Sequence, residues 1–207
     1  MKAVLFDLHG VLIDSFDPYL IAFNKTMEKC GRKKVSKREF MEKYIGSDDK
    51  AIIKKFGFDD DATKYMRAVY LESVKDTVIF PGVRKILESL SKKVKLGVVT
   101  NTWGKYVHKT LEYFDLKKYF DVIVTIDDVE NGKPHPEMII KACKSLGLDP
   151  SEVVAVGDEK NDILAAKSAG CFVIGLNIDA DYKIKKLSEL VKFVDQSLGS
   201  RGRTVKK

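Results

Sequence analysis

Five short, almost uninterrupted apolar runs constrain this chain most: Ala3–Phe6, Leu96–Thr100, Val122–Thr125, Val153–Val156 and Phe172–Leu176. Strands that are apolar at every residue, rather than at alternate ones, are buried on both faces, as inside a parallel sheet covered by helices. Parallel neighbours need long crossovers, and helix-like sequence separates the runs. Val83, Ile86, Leu87 and Leu90 recur at helical spacing, as do Val107, Leu111 and Phe114. Met138, Ile139, Ala142 and Leu146 mark a third helix, closed by Gly147, and Leu187, Leu190, Val191 and Val194 a last one. The expected class is α/β, with a Rossmann-like parallel-sheet core and right-handed crossovers.

The interval 16–80 breaks the alternation and offers no convincing strand. Leu20, Phe23 and Met27 fit a helix ending near Gly31. Ser36 and Glu39 form a capping-box pair ahead of Phe40, Tyr44 and Ile45, and Tyr65, Met66, Val69 and Ser73 suit a further helix. Residues 16–80 are therefore expected to form an inserted helical cap on a core of 1–15 and 81–197. Asp14-Ser15 would be the hinge, and Pro81-Gly82 the return.

The net charge of +7 falls to +3 without Arg201, Arg203, Lys206 and Lys207. Residues 198–207 are expected to be a solvated, flexible basic tail. Nucleic acid is not an expected partner, because no recognition motif or aromatic–basic interleaving accompanies these charges. No apolar run approaches the roughly 20 residues of a membrane-spanning helix. Asp7 arrives too early for a signal peptide, so a cytoplasmic protein is expected. Cys30, Cys143 and Cys171 show neither zinc-ligand spacing nor a disulfide framework and are expected to be buried free thiols.

The chemistry gathers at strand ends, where open parallel sheets bind their ligands. Asp7 directly follows the first run, and Gly10 comes three residues later. Alone, such an aspartate reads more readily as a turn or helix-cap residue. The fourth run, however, ends in Gly157-Asp158, with Asp162 four residues on. Neighbouring strands would bring Asp7 and Asp158 to one rim, where two carboxylates repel unless a cation separates them. Hard oxygen ligands in an open site suit Mg²⁺. Thr100-Asn101 supplies a hydroxyl and an amide, and Lys133, in Gly132-Lys133-Pro134, an ammonium able to offset phosphoryl charge.

With Asp7-Leu8-His9-Gly10-Val11, Thr100-Asn101, Gly132-Lys133-Pro134, and Gly157-Asp158 with Asp162 in order, the sequence resembles the haloacid dehalogenase superfamily. It is most similar to the phosphoglycolate phosphatase-like and β-phosphoglucomutase-like members with a helical cap, and the likeness extends to about residue 195. The resemblance implies a Mg²⁺-dependent phosphatase acting on a small phosphorylated metabolite. Asp7 would be the nucleophile that forms an aspartyl-phosphate. Mg²⁺ would be held by Asp7, the backbone carbonyl of His9, and Asp158, with Asp162 binding or orienting it. Thr100 and Lys133 would grip the phosphoryl group, and Asn101 would support them.

One position departs from the family pattern. Its phosphatases carry a second aspartate two residues after the nucleophile, where this chain has His9. Three readings stay open. Imidazole can take over acid–base work near neutral pH. The chemistry could have moved to phosphonate hydrolysis, although no cap lysine for a Schiff base stands out, or to metal-free dehalogenation, which Asp158 and Asp162 oppose. Or the chain is a phosphate-binding or catalytically impaired relative. Trp103 could line the pocket mouth or simply pack. His108, His135, Lys50 and Lys54 receive no role.

Overall fold

The computed structural model describes residues 1–44 and 49–201. In chain order the strands are β1 (Ala3–Phe6), β2 (Ile13–Asp14), β3 (Val78–Ile79), β4 (Lys95–Val99), β5 (Val122–Val124), β6 (Val153–Gly157), β7 (Phe172–Leu176) and β8 (Tyr182–Ile184). The main sheet is parallel and runs β5-β4-β1-β6-β7-β8. Phe6 at the end of β1 sits beside Val98 of β4 and Val156 of β6, so these three strands finish level. The residues that follow them therefore emerge together at one rim.

The helices are α1 (Phe16–Lys29), α2 (Lys37–Tyr44), α3 (Asp49–Phe56), α4 (Asp60–Glu72), α5 (Val83–Ser91), α6 (Gly104–Tyr113), α7 (Glu137–Leu146), α8 (Lys160–Ala169) and α9 (Glu189–Arg201). Successive strand side chains point to opposite faces. Val4 and Phe6 accordingly enter one apolar layer with Leu87 of α5, Leu111 of α6 and Leu190 of α9. Ala3 and Leu5 enter the other, with Met138 of α7 and Ala165 of α8. β1 thus lies at the centre of a doubly covered sheet, as its unbroken apolarity requires.

A third apolar cluster holds Phe23, Phe40, Ile52, Phe58, Met66 and Tyr70 from α1–α4 and the loop between α3 and α4, together with Tyr106 from α6. Here the structure corrects the expectation that 16–80 lacks strands. Val78 and Ile79 pair antiparallel with Asp14 and Ile13, so the outgoing and returning chain form a small ribbon. α3 and the edge strand β8 also went unpredicted. Ser36 Oγ accepts the Glu39 N–H at 3.1 Å, as the capping motif requires, whereas Ile45 lies outside the described residues. Residues 198–201, expected in the tail, belong instead to α9, which continues to Arg201, and Leu198 packs against the core. Cys143 and Cys171 are buried, but Cys30, just past the end of α1, is exposed, contrary to expectation. Among the described residues, no helix is long and apolar enough to cross a membrane.

Candidate active site

Asp7 leaves β1 with its N–H donated to the Val156 carbonyl at 2.9 Å, which anchors it to the neighbouring strand end. The chain then turns tightly, with Leu12 N–H bonded to the Leu8 carbonyl and Gly10 N–H to that of Ile13. Gly10 adopts φ +74°, and a Cβ there would lie 2.0 Å from Asp158 Oδ2. Only glycine lets this loop lie against the second carboxylate.

Lys133 is buried, and its ammonium bridges two of these acids. Nζ lies 2.8 Å from Asp7 Oδ1, 2.6 Å from Asp162 Oδ1 and 3.0 Å from the Val99 carbonyl. Burial alone would lower its pKa, but Asp162 and Asp7 outweigh burial and raise it, so the side chain is a fixed cation. Asn101 holds the Lys133 backbone from both sides, accepting its N–H and donating to its carbonyl, each at 2.8 Å. The second carboxylate oxygen of Asp162 accepts the Glu159 N–H at 3.1 Å.

Negative charge nevertheless exceeds positive. Asp7, Asp158 and Asp162 each place an oxygen within 4.8 Å of the others. Burial, then Asp7 and Asp162, pushes the Asp158 carboxyl up to about 8. Burial followed by Asp162 and Asp7 raises Glu159 to about 7. Asp158 Oδ1 is buried without a hydrogen-bond partner. An unpaired buried carboxylate oxygen beside two more acids is the donor set a hard divalent cation would satisfy. The residues present therefore fit such an ion.

His9 lines the same cavity as Asp7. Its Nδ1 lies 2.6 Å from Ser15 Oγ, which in turn lies 3.1 Å from the Tyr70 hydroxyl, while Nε2 is buried and unpartnered. Burial first, then Lys133, lowers its pKa to about 4 against the opposing pull of Asp14, so the ring is neutral.

These groups face one cavity of about 450 Å³, roofed by Phe40, Met66, Arg67 and Tyr70 from the helical insertion. It brings together Asp7, His9, Thr100, Asn101, Lys133, Asp158 and Asp162. Trp103 lines it too, beneath the Arg67 guanidinium at 5.0 Å. His108 and His135 are exposed and do not line it, nor do Lys50 and Lys54. Lys50 instead donates to the Val129 carbonyl at 3.1 Å. Sequence reasoning missed Glu159, Arg67 and the Ser15–Tyr70 pair. Glu159 was findable, because it adjoins Asp158. The others come from distant segments with no spacing signal.

A family model described as haloacid dehalogenase-like hydrolase matches residues 4–176. The phosphoglycolate phosphatase of Aquifex aeolicus is 34% identical over 211 residues, covering 96% of this chain and 99% of that protein. That of Salmonella typhimurium is 44% identical over 107 residues, only 51% of this chain and 42% of that protein. The crystal structure of a HAD phosphatase from Thermococcus onnurineus is 31% identical, with a TM-score of 0.72, and the match covers 94% of this chain and 98% of that one.

Proposed function

The chain belongs to the haloacid dehalogenase-like hydrolase family and is a phosphatase akin to phosphoglycolate phosphatases, and from that premise we propose that Asp7 attacks the phosphorus of a small phosphorylated metabolite. The observation that carries this reading is the Lys133 ammonium bridging Asp7 and Asp162 beside the unpartnered Asp158 oxygen. Phosphoryl transfer depends mostly on positioning and on neutralising charge. Lys133, clamped by Asn101, supplies fixed positive charge next to the nucleophile, and Thr100 lines the same wall.

In the first half-reaction an Asp7 oxygen bonds to phosphorus and the ester P–O bond breaks. In the second, water attacks phosphorus and releases Asp7. His9 holds the acid–base position, and its Nε2 is the ring nitrogen that no protein group engages. Asp7, Asp158 and the His9 carbonyl would hold Mg²⁺, which when bound offsets phosphoryl charge. Asp162, both of whose oxygens already accept protein hydrogen bonds, orients Lys133. Residues 16–80 act as a cap that selects substrate, and the enzyme works in the cytoplasm.

The test is phosphate release from a panel of phosphorylated metabolites, 2-phosphoglycolate included, with and without Mg²⁺. Turnover should need the metal and fall by at least ~10³-fold in Asp7→Asn. Phosphate binding without turnover would end the hydrolytic reading. A second reading, a slowed enzyme, is favoured by the neutral, hydroxyl-tethered state of His9. It predicts that His9→Asp raises turnover by about tenfold or more, whereas a working His9 predicts a loss of roughly 10²-fold in His9→Ala.

A further inference from the structure

The His9 ring is the end of a buried hydrogen-bonded chain that crosses between the two layers of the molecule. Nδ1 meets Ser15 Oγ, and Ser15 Oγ meets the hydroxyl of Tyr70 on α4. Tyr70 stacks on Tyr106 of α6 with centroids 3.6 Å apart and planes within 7°. The Tyr106 hydroxyl forms a separate pair with Thr77 Oγ1 at 2.6 Å. Ser15 and Thr77 flank the β2–β3 ribbon, so both hydrogen-bonded groups sit where the insertion joins the core.

The direction of this chain can be worked out by following its protons. Each hydroxyl owns one proton, and burial first among the causes keeps that of Tyr70 in place. If Tyr70 donates to Ser15 and Ser15 to His9, both links are filled and no hydroxyl proton is left over. If the chain ran the other way, His9 Nδ1–H would start it and the Tyr70 proton would be stranded. Tyr70 is 4% exposed, and its hydroxyl has no further hydrogen-bond partner among the described residues. Buried polar groups avoid that fate.

We propose that Ser15 and Tyr70 are positioning residues that hold His9 with Nδ1 as acceptor and Nε2–H as donor, so that His9 serves the leaving oxygen rather than the attacking water. This rests on the reading of His9 as the acid–base group. With Nδ1 accepting, the ring carries a single proton, and an imidazole N–H stabilises a developing oxyanion by hydrogen bonding without itself ionising. As the Asp7–phosphorus bond forms and the ester P–O bond breaks, the electron pair stays on the departing oxygen. That oxygen keeps the Nε2–H hydrogen bond until it takes a proton from solvent water. Because Tyr70 belongs to the insertion and Ser15 to its edge, the tautomer is set only while the insertion sits over the core.

Two measurements test this. In the protein labelled with nitrogen-15 histidine, the His9 signals, identified by their loss in His9→Asn, should show bare Nδ1 and protonated Nε2. Tyr70→Phe and Ser15→Ala should mix the tautomers. A protonated Nδ1 in the unmodified protein, or tautomers unmoved in both variants, would overturn the proposal. The second measurement compares an alkyl phosphate with p-nitrophenyl phosphate, whose leaving oxygen needs little help. Tyr70→Phe should lower kcat on the alkyl ester by about tenfold with KM little changed, and on the aryl ester hardly at all. Combined with His9→Ala it should add no further loss. Equal losses on both esters, or additive losses in the double variant, would refute the donor role. If His9→Ala left both rates unchanged, the acid–base reading would fall and the donor role with it. The tautomer would still be decided by the spectrum alone.

Discussion

At the scale of single residues, the site is an exercise in placing more negative charge than the protein itself can balance. Asp158 shows this most clearly, since burial and its acidic neighbours push its carboxyl to about 8 and one oxygen has no partner. Asp158→Asn removes that strain, so the variant should be about 1–3 kcal/mol more stable than the natural chain in the presence of a chelator. The same variant should lose any stabilisation by Mg²⁺. Urea unfolding with EDTA and with Mg²⁺ measures both, and a less stable variant in EDTA would contradict the argument. Asp7, Asp158 and Lys133 were legible beforehand because each stands at a strand end or in a loop, and strand ends announce themselves as the point where an apolar run stops. Ser15, Tyr70, Tyr106 and Thr77 were not. A hydroxyl among apolar residues looks like any packed side chain until three-dimensional proximity joins it to others.

Among the elements, two glycines with similar backbone angles separate local strain from functional crowding. Gly147 ends α7 at φ +67°, and a Cβ there would meet nothing within 4 Å, whereas Gly10 at φ +74° faces Asp158. Gly147→Ala should therefore cost only backbone strain, about 1–2 kcal/mol, with kcat unchanged. Gly10→Ala should cost more and abolish turnover, because Asp158 must move. Thermal unfolding and steady-state rates distinguish the two, and equal effects on rate would contradict this account. The buried strands and long amphipathic helices were readable because their periodicity reflects burial directly. β2, β3 and β8 were not. The first two are two residues long and the third places Lys183 in an exposed edge, so none has the run or alternation that marks a strand. Cys30 escaped the expected burial because residue type sets only an average.

For the molecule as a whole, stability and cation binding should be linked. An ion that binds the folded carboxylate cluster and not the unfolded chain adds about 2.7 kcal/mol at a hundredfold excess over its dissociation constant. For a chain of this size that is roughly 5–10 °C in Tm. Differential scanning calorimetry across a Mg²⁺ series should show the rise, and a Tm independent of Mg²⁺ would argue against a metal at Asp7 and Asp158. The aromatic cluster beneath α1–α4 includes Tyr106 of the sheet layer, so the two layers share packing as well as hydrogen bonds. Their covalent connection is simpler. The chain departs along β2 and comes back along β3, and paired strands lie only about 4.8 Å apart. Everything between is an excursion whose ends nearly coincide. Descendants of such a chain can lengthen, trim or exchange that excursion without re-threading the sheet, which leaves them free to change diet while keeping the same way of breaking a bond to phosphorus.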